Sequence, residues 1–393
     1  MRVYLDHSAT TSVDSRVLEE MLPYFNINYG NASSQHTLGQ DAMHAVDRAR
    51  TQVARAINAK DNEIYFTSGG TESDNWAIKG IAYAHKDKGN HIITTAVEHP
   101  AVLNSCKYLE KLGYVITYLP VNSEGLISIE DLKNAITKRT ILISVMAVNN
   151  EIGTIMPLEE IGSIAKDNNI FLHTDAVQAM GTIDIDVKAM NIDMLSLSAH
   201  KFYGPKGIGA LYIRNGVRID RYQSGGGQER KMRAGTLNTP AIVGLGKAIE
   251  LVNQEKAEAN EKMRKLRDNF VDRILHEIPY VIYNGSRDKR TSNNASFSFE
   301  LIEGESLLLN LDIEGIAASS GSACSSGSLE ASHVLMAIGA DPVAAQGTIR
   351  FTFGKENTME EVDYTVDALK KIVKRLRLMS PLFKENKGDS IYV

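Results

Sequence analysis

Short apolar runs rich in β-branched residues recur through the chain at 92–97, 114–119, 141–147, 170–173, 194–197 and 208–213. Helical patterns lie between them, and such alternation predicts an α/β fold with a mostly parallel sheet covered on both faces. Upstream, Leu38, Ala42, Ala45, Ala49, Val53 and Ala56 fall three or four apart, one apolar stripe along a helix that packs on the sheet.

From 249 to 278 the chain becomes charge-rich, with Met263, Leu266, Phe270 and Ile274 as its stripe and Pro279 as its stop. This long helix is expected to bridge two domains. Beyond it, 294–299 and 348–353 predict strands. Residues 358–378 predict a helix with Val362, Val366, Leu369, Val373 and Leu376 inward. The expected division is an N-terminal segment, 1–15, that joins a smaller domain, then a large domain over 16–255 and a smaller α+β domain over 256–393. The polar stretch 381–393 is expected to be a loose tail.

With 393 residues and 43% hydrophobic content, the chain is long enough for a large core and a second, smaller one. A net charge of -5 from interspersed acids and bases argues against nucleic acid or an anionic membrane surface as the partner. The first residues, MRVYLDHSATT, have no apolar stretch behind a basic start, and no run approaches the ~18 residues of a membrane span. A cytoplasmic protein is the expectation. Two cysteines, Cys106 and Cys324, form no CxxC pair, so neither a disulfide framework nor a zinc knuckle is indicated. Cys106 shares a helix face with Val102 and Leu109 and is expected in the core.

Three segments carry chemistry. In SLSAHKFYGPKG an apolar strand ends in Ser198, His200 and Lys201, which presents an amine at the crevice above a parallel sheet. Surroundings that lower the pKa of such a lysine let it form an imine with a carbonyl. A lysine snorkelling at a strand end is the plain structural alternative. In FLHTDAVQAMG a buried strand delivers Asp175 at its end and Gln178 three residues later. A carboxylate there suits a protonated pyridine nitrogen, and it equally suits a helix cap. In IYFTSGGTESDN a strand meets a Gly-Gly turn and a helix start, whose backbone N–H groups with the Thr71 hydroxyl make a phosphate cradle. All three converge on one phosphorylated pyridine, pyridoxal 5'-phosphate (PLP).

These segments, together with LDHSATT, VEHPAVLNSC, VNNEIGT, GGGQERKMRAGT, SGSACSSGSLEASHVL and TIRFTFGKENT, resemble the cysteine desulfurases of the NifS/IscS type. Those enzymes belong to the class-V aminotransferases and to fold-type I, the aspartate-aminotransferase-like PLP enzymes. The resemblance runs from about residue 4 to residue 357 in the family's order. It implies that Lys201 carries the cofactor, that Asp175 pairs with its pyridine nitrogen and that Gln178 meets its ring oxygen. His99 would stack on the ring and move protons, with Asn150 near ring and substrate. Gly70, Thr71, Ser198 and His200 would hold the phosphate. Thr236 would reach the phosphate of a neighbouring subunit, so the protein would be a homodimer. Arg350 would bind the substrate carboxylate, a role that suits a planar guanidinium.

Cys324 lies in AASSGSACSSGSLEAS, a Gly/Ser-rich stretch that reads as a surface loop at about 315–330. The resemblance makes its thiol the acceptor of sulfur from L-cysteine as a persulfide, with alanine as co-product. From there sulfur would pass to an iron–sulfur scaffold protein or another acceptor, and Cys324 would serve as a transient iron–sulfur ligand shared with that partner. Its extended loop fits the group that reaches acceptor proteins better than the short-loop group. Two alternatives are another PLP lyase, acting on selenocysteine or cysteine sulfinate, and a non-catalytic assembly scaffold.

Overall fold

The apolar runs fold as strands of one seven-stranded sheet, in a computed structural model that describes residues 1–320, 331–381 and 383. Across the sheet the order is Ile64–Thr67, Gly209–Ile213, Met194–Ser198, Phe171–Asp175, Thr140–Ser144, His91–Thr95 and Val115–Leu119. The last five are mutually parallel. Gly209–Ile213 runs antiparallel to both its neighbours. Both faces are covered, because successive residues alternate between two clusters: Leu142 and Met194 pack with Trp76 and Cys106, while Ile143 and Leu195 pack with Val46 and Leu245.

The amphipathic stripe upstream becomes the helix Thr37–Ala56, with Ala42, Ala45, Val46, Ala49 and Val53 buried. The long charged helix differs from its expected start. It spans Thr239–Glu277, ten residues earlier than 249, because the Asn238 side chain caps the Ala241 N–H and Pro240 occupies the first turn. Its first half buries Ile242, Leu245 and Ile249 in the large core, and its second half gives Met263, Leu266, Phe270 and Ile274 to a second core. One helix of 39 residues, about 58 Å long by its rise, thus runs through both cores.

The second core is closed by a four-stranded antiparallel sheet, in the order Ser319–Ser320, Thr348–Thr352, Asn294–Phe299 and Val281–Tyr283. Against it lies the helix Met359–Met379, opened by a Thr358/Glu361 capping box. Val3 and Leu5 are also buried there, and Val3–Tyr4 pairs in parallel with Ile316–Ala317. The next residues cross over: the Thr11 hydroxyl and backbone N–H both donate to the His200 carbonyl. The N-terminal segment therefore lies between the two cores. That placement brings it to the strand ends where the chemistry-bearing residues sit.

Candidate functional site at the strand ends

Asp175 is the last residue of its strand, buried, with Oδ1 accepting from the Val177 N–H at 2.9 Å. The adjacent parallel strand ends at Ser198, and a tight turn, Ala199–Lys201, follows. Lys201 Nζ donates to the backbone carbonyls of Ser8 at 2.5 Å and Ala9 at 2.8 Å. Gln178 Nε2 donates to the same Ser8 carbonyl at 2.9 Å. His200 Nδ1 pairs with Thr10 Oγ1 at 3.1 Å, and burial, reinforced by the charges of Lys201 and Lys206, pushes its pKa down to about 4. His200 is therefore neutral near pH 7.

His99 caps the helix Pro100–Glu110, its Nδ1 accepting from the Ala101 N–H at 3.1 Å. That bond fixes the tautomer: Nδ1 is the acceptor, so Nε2 carries the proton of the neutral ring. Burial lowers the pKa of His99, opposed by Asp175 and assisted by Lys201 and His333. Ligating atoms of His99, Asp175 and Asp74 lie within 4.8 Å of one another. Asp74 projects from the helix Gly70–Ala84 and is fully buried. Burial raises both carboxyl pKa values, and for Asp74 the charge of Asp175 adds to the rise. Among the described residues Asp74 Oδ1 has no hydrogen-bond partner.

Beside this group the turn Gly69–Gly70 opens the helix. Among the described residues the backbone N–H groups of Gly70, Thr71 and Glu72 have no acceptor, as expected of a helix's first turn. The turn rests so closely on the neighbouring strand that a Cβ on Gly209 would stand 2.7 Å from Gly69 Cα. Gly69 itself has φ +151°, with Ser198 Oγ 3.6 Å from the position of a Cβ there. Only glycine at these positions leaves the first-turn N–H groups beside the strand end. Gly70, Thr71 and Ser198 thus share one rim.

Arg350 enters from the second core, on the strand Thr348–Thr352. It is 3% exposed, donating from Nη1 to the Asn150 carbonyl at 2.8 Å and from Nη2 to Asp6 Oδ1 at 2.9 Å. Asn150 thus meets Arg350 through its backbone carbonyl. Thr236 is exposed on the loop before the helix Thr239–Glu277, and among the described residues it makes no hydrogen bond to the pocket. Cys324 lies outside the described residues, as does most of 381–393. Cys106 is fully buried, as its helix face predicts, and burial pushes its thiol up to about 12.

Several contributors carry no signal of their own in the sequence. Asp74 sits in SGGTESDN, and Asp6, Ser8 and Thr10 sit in LDHSATT, yet only the fold shows what they face. Glu98, beside His99, is fully buried and accepts from Thr95 Oγ1 at 2.8 Å and the Met146 N–H at 2.9 Å. Burial pushes its pKa up to about 8. Glu151, beside Asn150, is likewise pushed up to about 7 by burial.

The arrangement fits a cationic heterocycle bearing a phosphate. Two buried carboxyl groups have raised pKa values, and among the described residues Asp74 Oδ1 has no hydrogen-bond partner; a protonated ring nitrogen would supply a donor and a positive charge beside them. The helix start supplies donors for an anion at the other end. An amine, Lys201, and a buried guanidinium, Arg350, complete a site for a carbonyl cofactor and a carboxylate substrate.

The chain belongs to the class-V aminotransferases, whose family model matches residues 3–365. Membership implies a PLP cofactor. More particularly, a Clostridium botulinum protein named cysteine desulfurase IscS is 57% identical over 386 residues, covering 98% of this chain and 97% of that protein. A solved NifS-like protein superposes with a TM-score of 0.91 at 41% identity, over 96% of this chain and all of its own. A structure titled SspA in complex with cysteine superposes with a TM-score of 0.80 at 38% identity, over 91% of this chain and 100% of its own. Among the described residues no helix is long and apolar enough to cross a membrane.

Proposed function

We propose that this chain is a PLP-dependent cysteine desulfurase that converts L-cysteine to L-alanine and takes the sulfur onto Cys324 as a persulfide. The reading rests on two observations: His99 and Asp175 present atoms within 4.8 Å of each other, and Lys201 and Arg350 both bond to the N-terminal stretch 6–9, in a chain 57% identical to a protein of that name. PLP, when bound, withdraws electrons from the substrate's α-carbon. In this reading Arg350 binds the amino-acid carboxylate through N–H groups that Asp6 and Asn150 leave open. Lys201 attaches the cofactor, takes the α-proton and returns a proton to the α-carbon before alanine leaves. Asp175 and Gln178 hold the ring, and Gly70, Thr71, Ser198 and His200 hold the phosphate, joined by Thr236 of a second copy.

Sulfur transfer is a displacement at the substrate sulfur. The Cys324 thiolate forms the S–S bond, the Cβ–S bond breaks, and its electron pair stays on carbon, where protonation completes the methyl group of alanine. In this reading His99 moves that proton, and its helix cap, which leaves the proton of the neutral ring on Nε2, supports the role. The persulfide then passes to an iron–sulfur scaffold protein or another acceptor, with Cys324 serving transiently as an iron–sulfur ligand. A cytoplasmic homodimer completes the reading.

Incubation with L-cysteine, followed by peptide mass spectrometry and an alanine assay, tests it. Wild-type protein should gain sulfur on Cys324 and release alanine. Cys324→Ala should bind cofactor and cysteine yet release almost no alanine, whereas Cys106→Ala should behave nearly as wild type. Near-normal alanine release by Cys324→Ala would overturn the persulfide assignment in favour of a lyase that needs no thiol.

A further inference from the structure

Arg350 already has a carboxylate partner before any substrate arrives. Its Nη2 donates to Asp6 Oδ1 at 2.9 Å, with the two side chains only 3% and 17% exposed. Asp6 is itself fixed. Its Oδ2 accepts from Ser319 Oγ at 3.3 Å, its backbone carbonyl accepts from the Tyr4 hydroxyl at 3.1 Å, and its backbone bridges to Thr352. A guanidinium offers five N–H groups. Two of these are committed, to Asp6 and to the Asn150 carbonyl, and Nε is buried with no partner among the described residues. The open N–H groups are those an incoming carboxylate would take.

We propose that Asp6 acts as the fixed counter-ion of Arg350, setting how tightly the pocket holds any amino-acid carboxylate, product alanine included. The inference rests on the desulfurase reading for the identity of that product. A buried guanidinium with no counter-ion would attract a carboxylate strongly, because charges interact more in a low-dielectric interior. Pairing with Asp6 neutralises part of that pull. Substrate and product carry the same carboxylate on the same α-carbon, so a tighter clamp holds both alike and does nothing for the chemical step. Asp6 keeps the clamp weak enough for alanine to leave.

Calorimetric titration of the holoenzyme with L-alanine tests the idea without turnover. Asp6→Asn preserves an oxygen that accepts from Arg350 and removes only the charge. It should bind L-alanine roughly fivefold or more tightly than wild type, with a parallel fall in KM for cysteine and no rise in kcat. Asp6→Ala, which also removes the charge, should shift in the same direction and serves if the Asn variant does not fold. Unchanged or weaker alanine binding in the charge-neutral variants, with cofactor content intact, overturns the counter-ion role. Arg350→Lys separates the two levels. If it weakens alanine binding while the Asp6 variants leave it unchanged, only the role of Asp6 falls. If Arg350→Lys also changes nothing, Arg350 is not the clamp and the site assignment fails with it.

Discussion

Lys201 and Gln178 share one acceptor: Nζ of the lysine and Nε2 of the glutamine both donate to the Ser8 carbonyl, at 2.5 and 2.9 Å. Ser8 in turn donates its N–H to Thr352 Oγ1 at 2.9 Å, on the strand that carries Arg350. The N-terminal segment therefore sets the register between an amine on the large core and a guanidinium on the small one. A short polar stretch, LDHSATT, gains its importance from that position.

Borohydride reduction of the holoenzyme followed by peptide mapping should place the cofactor on Lys201, because a reduced imine cannot hydrolyse. Lys206 is exposed beyond the Gly204-Pro205 turn and should stay unlabelled. Label on Lys206 would contradict the assignment.

Arg350→Lys keeps one positive charge but loses the planar fork that holds Asp6, Asn150 and a carboxylate together. KM for L-cysteine should rise by about tenfold or more, as expected for a lost charge-assisted hydrogen bond, while cofactor absorbance stays unchanged. Steady-state kinetics beside a spectrum checks both halves, and an unchanged KM rules out the clamp.

Glu98 gives a pH signature in stability. Burial raises its folded pKa to about 8, well above the unfolded value, so the folded state keeps a proton that the unfolded chain has released. Its contribution is therefore favourable at acid pH. It is lost as pH climbs from the ordinary glutamate range towards about 8, at no more than ~1.4 kcal/mol per pH unit. Glu98→Gln removes this titration and should flatten the decline seen in denaturant unfolding between pH 5 and 8. An identical slope in wild type and variant would show that Glu98 does not hold its proton.

Thr236→Ala should reduce cofactor retention without disturbing the fold, since Thr236 is exposed and makes no hydrogen bond to the pocket of its own chain among the described residues. Sedimentation should give a dimer for both proteins, with PLP dissociating faster from the variant. A fully active monomer would refute a phosphate site completed by a second copy.

Local pattern alone settled a good deal. Strand periodicity and the residues that end each run placed Asp175 and Ser198 at strand termini and Lys201 in the turn just beyond, because a strand's hydrophobic stretch and its polar exit are neighbours in sequence. The apolar stripes at 37–56 and 359–379 fixed two helices for the same reason, and the helix face of Cys106 announced its burial. The long helix starts ahead of its charged half, because Asn238, Thr239 and Pro240 form its cap and the apolar first half carries no charge pattern to mark it.

What only the tertiary structure decided are contacts between residues far apart in the chain. Asp6 lies 344 positions from Arg350, and Ser8 lies 193 from Lys201. No spacing rule links such pairs. Asp74 and Glu98 look like ordinary surface acids in sequence, and their raised pKa values arise because the packed helix and strands around them exclude water. Sequence sets which groups stand at the ends of elements, while packing sets which of them lose their solvent and whose charge they face.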